Sequence, residues 1–352
     1  MTGFERIELE GEAYERGRQY GAQAAAAIRQ NVDDYVEFIR LNAGLEREAA
    51  LEAARAFAPI VEAHAPDLLV EMRGIADGAG CELADILLIN ARTELMAKAN
   101  ECTSLAACRE VTSRGQVLLG QNWDWYVAIQ PEPVLLQIRQ PDKPEILTLA
   151  EAGQVAKIGL NSAGLGMCLN FLEHTDRGQG LPVHLIARQV LGCEALGEAI
   201  HAACSVPRGA AVNMLLAHAE GEALDLEMTA SDVDFLYADA GWLVHANHFE
   251  SLRLRAGDTG VTGSLSTLAR AARARRLLAA AHGTVSLDSF LTILRDHAYG
   301  PYAICRHPDP RASRFEQTAT RASVIMDLTA KTMYLAAGQP CRHEFEPLTF
   351  AA

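Results

Sequence analysis

Apolar residues recur at helical spacing through the first hundred positions. From residue 12 to about 41 the chain is rich in Ala, Glu, Arg and Gln, and Tyr14, Tyr20, Val32, Tyr35 and Ile39 form the expected inner face of a helix. Residues 46 to about 63 are again Ala- and Glu-rich. His64-Ala-Pro66 interrupts them, and Pro66 suits the first turn of a third helix running to about Ala79. Residues 83–98 predict a fourth helix, apolar on more than one face. After Glu101 the period shortens. Strands are expected over 116–120, 134–140, 145–150, 155–160 and 164–171, with Gly-Gln, Pro-Asp and Asn-Ser turns between them. Helical texture returns over 181–204, 265–281 and 287–296. Strands are expected over 211–219, 224–228 and 242–247, and a closing hairpin over 323–327 and 332–337. Strands grouped in runs point to an α+β fold with mostly antiparallel sheet. No repeat, low-complexity tract or linker divides the chain, so residues 1–352 read as one domain.

Composition removes several function classes. The chain has 352 residues, 49% of them hydrophobic, and 31 Lys and Arg against 45 Asp and Glu give a net charge of −14. Phosphates repel such a chain, so neither nucleic acid nor an anionic membrane is an expected partner. No apolar run approaches the roughly 18 residues of a spanning helix. The start, Met1-Thr-Gly-Phe-Glu-Arg, lacks the basic and apolar stretches of a secretion signal, so the expected location is cytoplasmic. Eight cysteines, at 81, 102, 108, 168, 193, 204, 305 and 341, include no C-x-x-C pair, and most are expected to be small buried hydrophobes.

Three segments carry candidate chemistry: Asn100-Glu-Cys-Thr-Ser-Leu-Ala-Ala, Gly120-Gln-Asn-Trp-Asp-Trp and Val244-His-Ala-Asn-His-Phe. Each has a plain structural reading. Cys102 reads as a core thiol, Asn-Trp-Asp as a turn after a strand, and Asn247 as a strand-end cap. His245 and His248 resemble a metal pair. In an extended strand, however, residues three apart face opposite sides, and no third ligand stands out, so no metal is expected.

Taken together, Cys102-Thr-Ser followed some twenty residues on by Gly-Gln-Asn-Trp-Asp-Trp resembles the acyl-coenzyme A:6-aminopenicillanic acid acyltransferase family. These are N-terminal-nucleophile (Ntn) hydrolases, also classed as self-processing cysteine peptidases. Gly11-Glu-Ala-Tyr-Glu-Arg-Gly, Glu71-Met-Arg-Gly-Ile-Ala-Asp-Gly-Ala-Gly, Asn90-Ala-Arg-Thr-Glu-Leu and Gly338-Gln-Pro-Cys extend the resemblance over nearly the whole chain. It implies a four-layer αββα sandwich with two mostly antiparallel sheets. It also implies self-cleavage at Glu101–Cys102 into a helical α chain (1–101) and a β chain (102–352) that stay associated. Cys102 would then carry both the nucleophilic sulfur and, as a free α-amino group with a reference pKa of roughly 7.7–8.0, its own base.

By position, the resemblance makes Asp124 the catalytic aspartate that orients the Cys102 ammonium or thiol, and Asn247 the oxyanion donor. Gln121, Trp125 and Arg321 are its substrate contacts. Two departures stand out. Glu101 occupies the position before the nucleophile, where the penicillin enzyme has Gly. The Ser-Arg pair of a late strand in that enzyme corresponds here to Thr318-Ala319, with Arg321 two residues on as the replacement. Gln121 matches the acyltransferases; bile-salt hydrolases and penicillin V acylases usually place Arg there. No cofactor is implied. The implied substrate is a small amide or acyl thioester, such as an N-acyl, β-lactam-type or β-alanyl-amine compound, resolved by water or by an amine. Two other readings stay open: an uncleaved, inactive relative that binds an acyl ligand, and a papain-like hydrolase pairing Cys102 with His245 or His248. The sequence leaves the oligomeric state open, homo-oligomers included.

Overall fold

A computed structural model describes residues 4–96, 102–129 and 132–350. The chain opens with a short strand, β1 (Glu5–Leu9), too brief to stand out in the hydrophobic pattern. The first predicted helix is in fact two, α1 (Ala13–Gln23) and α2 (Ala25–Ala43), divided where Ala24 leaves helical geometry. The second is also divided, into α3 (Arg47–Arg55) and α4 (Ala58–His64), with Pro59 opening α4 because its ring pre-sets a first-turn angle and needs no N–H partner. Helix α5 (Pro66–Ala79) has the predicted bounds and stops at Gly80, whose φ of 67° is left-handed. The fourth prediction becomes α6 (Leu83–Asn90) and α7 (Arg92–Leu95); its expected end at Lys98 lies outside the described residues.

Four glycines explain how α1 meets α5. A Cβ on Gly17 would lie 2.0 Å from the Glu71 carbonyl oxygen, and one on Gly21 2.2 Å from that of Ile75. Gly74 and Gly78 of α5 approach the Tyr14 and Arg18 carbonyls almost as closely, so the two backbones touch. The ion pair of Arg16 with Glu71, 2.7 Å and buried, locks the contact, and Arg188 joins it at 2.9 Å. Arg16 and Glu71 lie within two of the segments that carry the family resemblance. Tyr14 is not on the inner face: it is 41% exposed and donates its hydroxyl to Asp77.

The remaining elements build two sheets. They are β2 (Cys102–Ala107), β3 (Leu118–Tyr126), β4 (Pro133–Ile138), β5 (Ile146–Glu151), β6 (Ile158–Asn161) and β7 (Leu165–Phe171). Helices α8 (Val183–Leu191) and α9 (Leu196–Cys204) follow, then β8 (Val212–His218), β9 (Ala223–Met228), β10 (Val233–Tyr237) and β11 (Trp242–His245). The chain ends with α10 (Gly260–Gly263), α11 (Ser266–Ala280), α12 (Leu287–Leu294), β12 (Thr318–Asp327), β13 (Thr332–Ala336) and β14 (Glu346–Thr349). One sheet has the order β1-β4-β5-β6-β7-β8-β9-β10, the other β11-β2-β3-β12-β13-β14. Each neighbouring pair in these sheets is antiparallel except β1 with β4.

The sheets face each other. Gln121 of β3 clamps both backbone groups of Leu169 on β7, and Ser104 of β2 donates to Asn170 at 2.7 Å. Helices α11 and α12 cover the outer face of the six-stranded sheet, where the Phe290 ring fills the space that a side chain at Gly120 would need. Helices α8 and α9 lie on the eight-stranded sheet, tied by Asn161 to the Leu191 and Cys193 carbonyls. The expected αββα order of layers results.

Two predictions need correction. The strand expected over 116–120 continues to Tyr126, so Asn122-Trp-Asp124 is a buried strand segment and not a turn. Its polar side chains are stable there because each finds partners: Asn122, for example, donates to the Leu294 and Ile304 carbonyls and accepts from Ser323. The segment 1–101 is not wholly helical, because β1 pairs with β4.

Candidate active site

Cys102 is the first residue of β2, an inner strand between β11 and β3, and is 5% exposed. It sits opposite Trp123, so its side chain shares the inter-sheet face with Gln121 and Trp123. Burial, reinforced by the Asp124 carboxylate, pushes the Cys102 thiol up to about 11. The Lys157 charge, the Asp124 backbone N–H and the Gln121 side chain pull the other way, but do not offset it. The group is therefore a neutral thiol at neutral pH and needs a base before it can attack.

The backbone of Cys102 is held from the far end of β11. That strand stops at His245, and Asn247 accepts the Cys102 N–H on Oδ1 at 2.7 Å. Its Nδ2 donates to the Phe171 carbonyl at 3.0 Å, which uses one of the two N–H bonds of the amide. Arg270, fully buried on α11, donates to the Cys102 carbonyl, to Thr103 Oγ1 at 2.7 Å and to Asn247 Oδ1 at 3.1 Å. Sequence reasoning missed Arg270. A signal existed: it falls on the buried stripe of Thr267, Ala271, Ala274 and Leu278, where an unpaired cation would be costly.

Asp124 lies on the opposite face of β3 from Trp123 and Trp125, and it is fully buried. Its Oδ1 accepts from Thr320 Oγ1 at 2.6 Å, and the Arg306 guanidinium lies 3.8 Å from Oδ2. Arg306 also donates to Thr318 and Ser266, joining β12 and α11 around the carboxylate.

Of the three suggested substrate contacts, Gln121 and Trp125 are buried and Arg321 is half-buried. Gln121 bridges the sheets as described. Trp125 is 2% exposed, packs edge-on against Tyr35, and lies under the Arg92 guanidinium at 4.2 Å. Arg321 occupies a β-bulge between Thr320 and Ala322, and burial pulls its guanidinium below its ordinary pKa despite the Glu132 and Glu151 charges. Among the described residues it makes no hydrogen bond to Cys102 or Asp124. The cations beside those residues are instead Arg270 and Lys157 at Cys102 and Arg306 at Asp124.

The histidines also differ from expectation. Because β11 ends at His245, the chain turns and the His245 and His248 rings stack, 6.4 Å apart, instead of facing opposite ways. Burial alone would lower the His245 pKa, but its 2.7 Å hydrogen bond to Glu227 and the nearby Asp225 carboxylate raise it to about 9. His248 is held by Thr267 and Glu250. The described hydrogen bonds of both rings go to groups other than Cys102.

Beside this centre opens a cleft of about 990 Å³ lined by Asn247, Arg306, Tyr126, Tyr299, Tyr302 and Phe315, among others. Tyr299, Tyr302 and Phe315 are each about half exposed or more, so the cleft offers aromatic surface leading to buried polar groups. Glu101 lies outside the described residues.

The sequence profile described as acyl-coenzyme A:6-aminopenicillanic acid acyl-transferase matches residues 111–342. The 40 kDa form of acyl-coenzyme A:6-aminopenicillanic-acid-acyltransferase from Emericella nidulans is 28% identical over 341 residues, covering 95% of this chain and 92% of that protein. A variant of conjugated bile acid hydrolase from Clostridium perfringens superposes with a TM-score of 0.49 at 15% identity, over 71% of this chain and 97% of that one. Penicillin V acylase from Agrobacterium tumefaciens gives 0.46 at 12% identity, over 67% and 83%. The profile spans well over half of the sequence, and the chain belongs to the acyl-coenzyme A:6-aminopenicillanic acid acyltransferase family.

Proposed function

We propose that this chain is a self-processing cysteine enzyme that cleaves or transfers the acyl group of a small amide. The observation that carries the reading is the capture of Cys102 by its backbone: the nitrogen rests on Asn247 and the carbonyl on Arg270, beside a cleft that reaches Asn247. Any buried backbone group needs a partner; here the partners are side chains, Asn247 just past β11 and Arg270 of α11, and Asn247 also lines the cleft.

In maturation the Cys102 sulfur attacks the Glu101 carbonyl carbon, the Glu101–Cys102 C–N bond breaks, and a thioester forms. Water then attacks the thioester, releasing the Glu101 carboxyl group and the thiol. The Cys102 nitrogen is now a free amine held by Asn247 Oδ1. In turnover that amine takes the thiol proton as sulfur attacks the substrate carbonyl. The developing oxyanion is stabilised by the second N–H of Asn247 Nδ2. The proton passes to the leaving amine as the C–N bond breaks. Water resolves the acyl-enzyme to an acid, or a second amine resolves it to a new amide. Asp124, with Thr320 and Arg306, fixes the end of β3 against the nucleophile. Hydrolysis is the simpler outcome because water is always present. The named Emericella nidulans relative supports acyl transfer as the alternative fate of the same acyl-enzyme.

Denaturing mass spectrometry of the purified protein tests this. Two chains, ending at residue 101 and starting at residue 102, are expected from the wild type, and one intact chain from Cys102→Ala. Cleavage of the alanine variant at the same bond would sink the proposal. Full amidase activity in an uncut chain would favour the papain-like reading.

A further inference from the structure

Away from the cleft centre, His297, Cys305, His307 and Cys341 converge so that one donor atom from each lies within 4.8 Å of all the others. The sequence pattern nominates no metal ligands, since these four are scattered over separate segments. His297 follows α12, Cys305 and His307 stand two apart in the next loop, and Cys341 lies in the turn between β13 and β14. Three groups approach a single atom, His307 Nε2: His297 Nε2 at 3.2 Å, Cys341 Sγ at 3.3 Å and Cys305 Sγ at 3.7 Å. One ring nitrogen offers a single hydrogen or a single lone pair. Hydrogen bonding therefore accounts for one of these approaches, not three.

A shared cation accounts for all of them. Around Zn²⁺, bonds of about 2.05 Å to nitrogen and about 2.3 Å to sulfur give tetrahedral edges of about 3.3 Å for N···N and about 3.6 Å for N···S. The observed separations of 3.2, 3.3 and 3.7 Å bracket those edges. We propose that His297, Cys305, His307 and Cys341 form a Cys₂His₂ site for a zinc-class divalent cation. Two thiolates balance the charge of the ion, and soft sulfur with imidazole nitrogen selects zinc over magnesium or calcium.

Four protein ligands leave no open position, so the ion is structural and stays outside the acyl chemistry. Its effect is to staple the turn at 341 to the loop at 305–307. That loop carries Arg306, the cation beside Asp124, and its neighbours Pro301, Tyr302 and His307 line the cleft. Arg295 makes a parallel tie by donating to the Pro340 carbonyl at 2.8 Å.

The test reads metal, not turnover. The full chain, purified under reducing conditions, is expected to contain close to one zinc per chain by elemental mass spectrometry. Chelator-stripped protein titrated with Co²⁺ alone should show the intense visible bands and thiolate charge-transfer absorption of a tetrahedral sulfur site. Cys341→Ser and His297→Ala change exposed residues. Each should weaken binding by at least the roughly 10–100-fold that loss of an outer-shell partner costs. Cys81→Ser and Cys102→Ala should keep the metal, which separates this proposal from that of the acyl-enzyme. Reduced wild type that holds no zinc and gives no cobalt bands overturns it. So does zinc retained with unchanged affinity in Cys341→Ser, or recovery of the freshly purified chain as a metal-free Cys305–Cys341 disulfide.

Discussion

At the scale of single residues, the proposed chemistry depends on which group takes the proton from Cys102. Burial and Asp124 hold the thiol near 11, so a mechanism requiring spontaneous ionisation would show kcat/KM rising only in strongly alkaline solution. With the α-amino group as base, the rise follows deprotonation of an amine whose ordinary pKa is roughly 7.7–8.0. The adjacent Arg270 charge disfavours the ammonium form and the Asp124 carboxylate favours it, so the two oppose each other and the limb stays near that range. A pH profile of the mature enzyme is therefore expected to rise through that range; a limb near 11 would rule out the amine. Asn247→Ala removes an oxyanion donor and the anchor of the Cys102 nitrogen, and turnover should fall about 10²–10³-fold. Asp124→Asn keeps an acceptor for Thr320 but loses the negative charge beside Arg306. A drop of roughly 10²-fold or more in kcat is expected, and a near-normal rate would remove Asp124 from the site.

At the scale of elements, the packing of α1 against α5 brings backbone against backbone, and its glycines are the sensitive points. Gly17→Ala places a methyl group 2.0 Å from the Glu71 carbonyl oxygen, a clash that only separation of the helices relieves. A destabilisation of about 1–3 kcal/mol or more is expected in denaturant titration. Gly197 in α9 faces open space: nothing lies within 4 Å of the point a methyl group would take, so Gly197→Ala should be neutral or stabilising by up to about 1 kcal/mol. Equal losses in the two variants would mean that the helix contact is looser than described. The divided helices at Ala24 and at Ala56–Phe57 show why pattern alone overran: Ala-rich sequence runs across both breaks, Pro59 is the local mark of the second, and no Pro or Gly marks the first.

At the scale of the whole molecule, residues on either side of the proposed cut are interlocked. Glu151 of β5 receives Arg92 and Lys157, both at 2.6 Å, and the Tyr35 hydroxyl. Asn31 and Asn90 bond the backbone around 152–155, Tyr20 accepts from the Gly153 N–H, and β1 pairs with β4. Cleavage at 101 would leave all of these bonds in place. The two chains should co-elute in native gel filtration and part only in denaturant; separation in buffer would contradict the interlock. Glu151→Gln leaves Arg92 and Lys157 buried without their carboxylate, a loss of about 3–5 kcal/mol. Burial alone would raise the Glu151 pKa, but those cations hold it at about 2. Its contribution is therefore complete above the ordinary carboxylate range of about 4.3, and is lost as pH falls toward 2. Wild type should weaken over that interval in acid melts, with a flatter slope in the variant.

Much of the fold was legible in the sequence because hydrophobic period is a local property. Most helices, most strands and the α+β grouping follow from it. Cys102-Thr-Ser with Asn-Trp-Asp carried the family resemblance for the same reason: contiguous residues on neighbouring strands travel together. Four strands escaped, β1, β2, β10 and β14, being short and with little or no alternation of their own. What the tertiary structure alone decided is who meets whom across distance. Arg270 reaches Cys102 from 168 positions away, Arg306 reaches Asp124, and two histidines and two cysteines meet from three segments. No local pattern encodes these meetings, because each depends on how sheets and helices stack, and a buried charge or thiol is satisfied only by partners that stacking brings near.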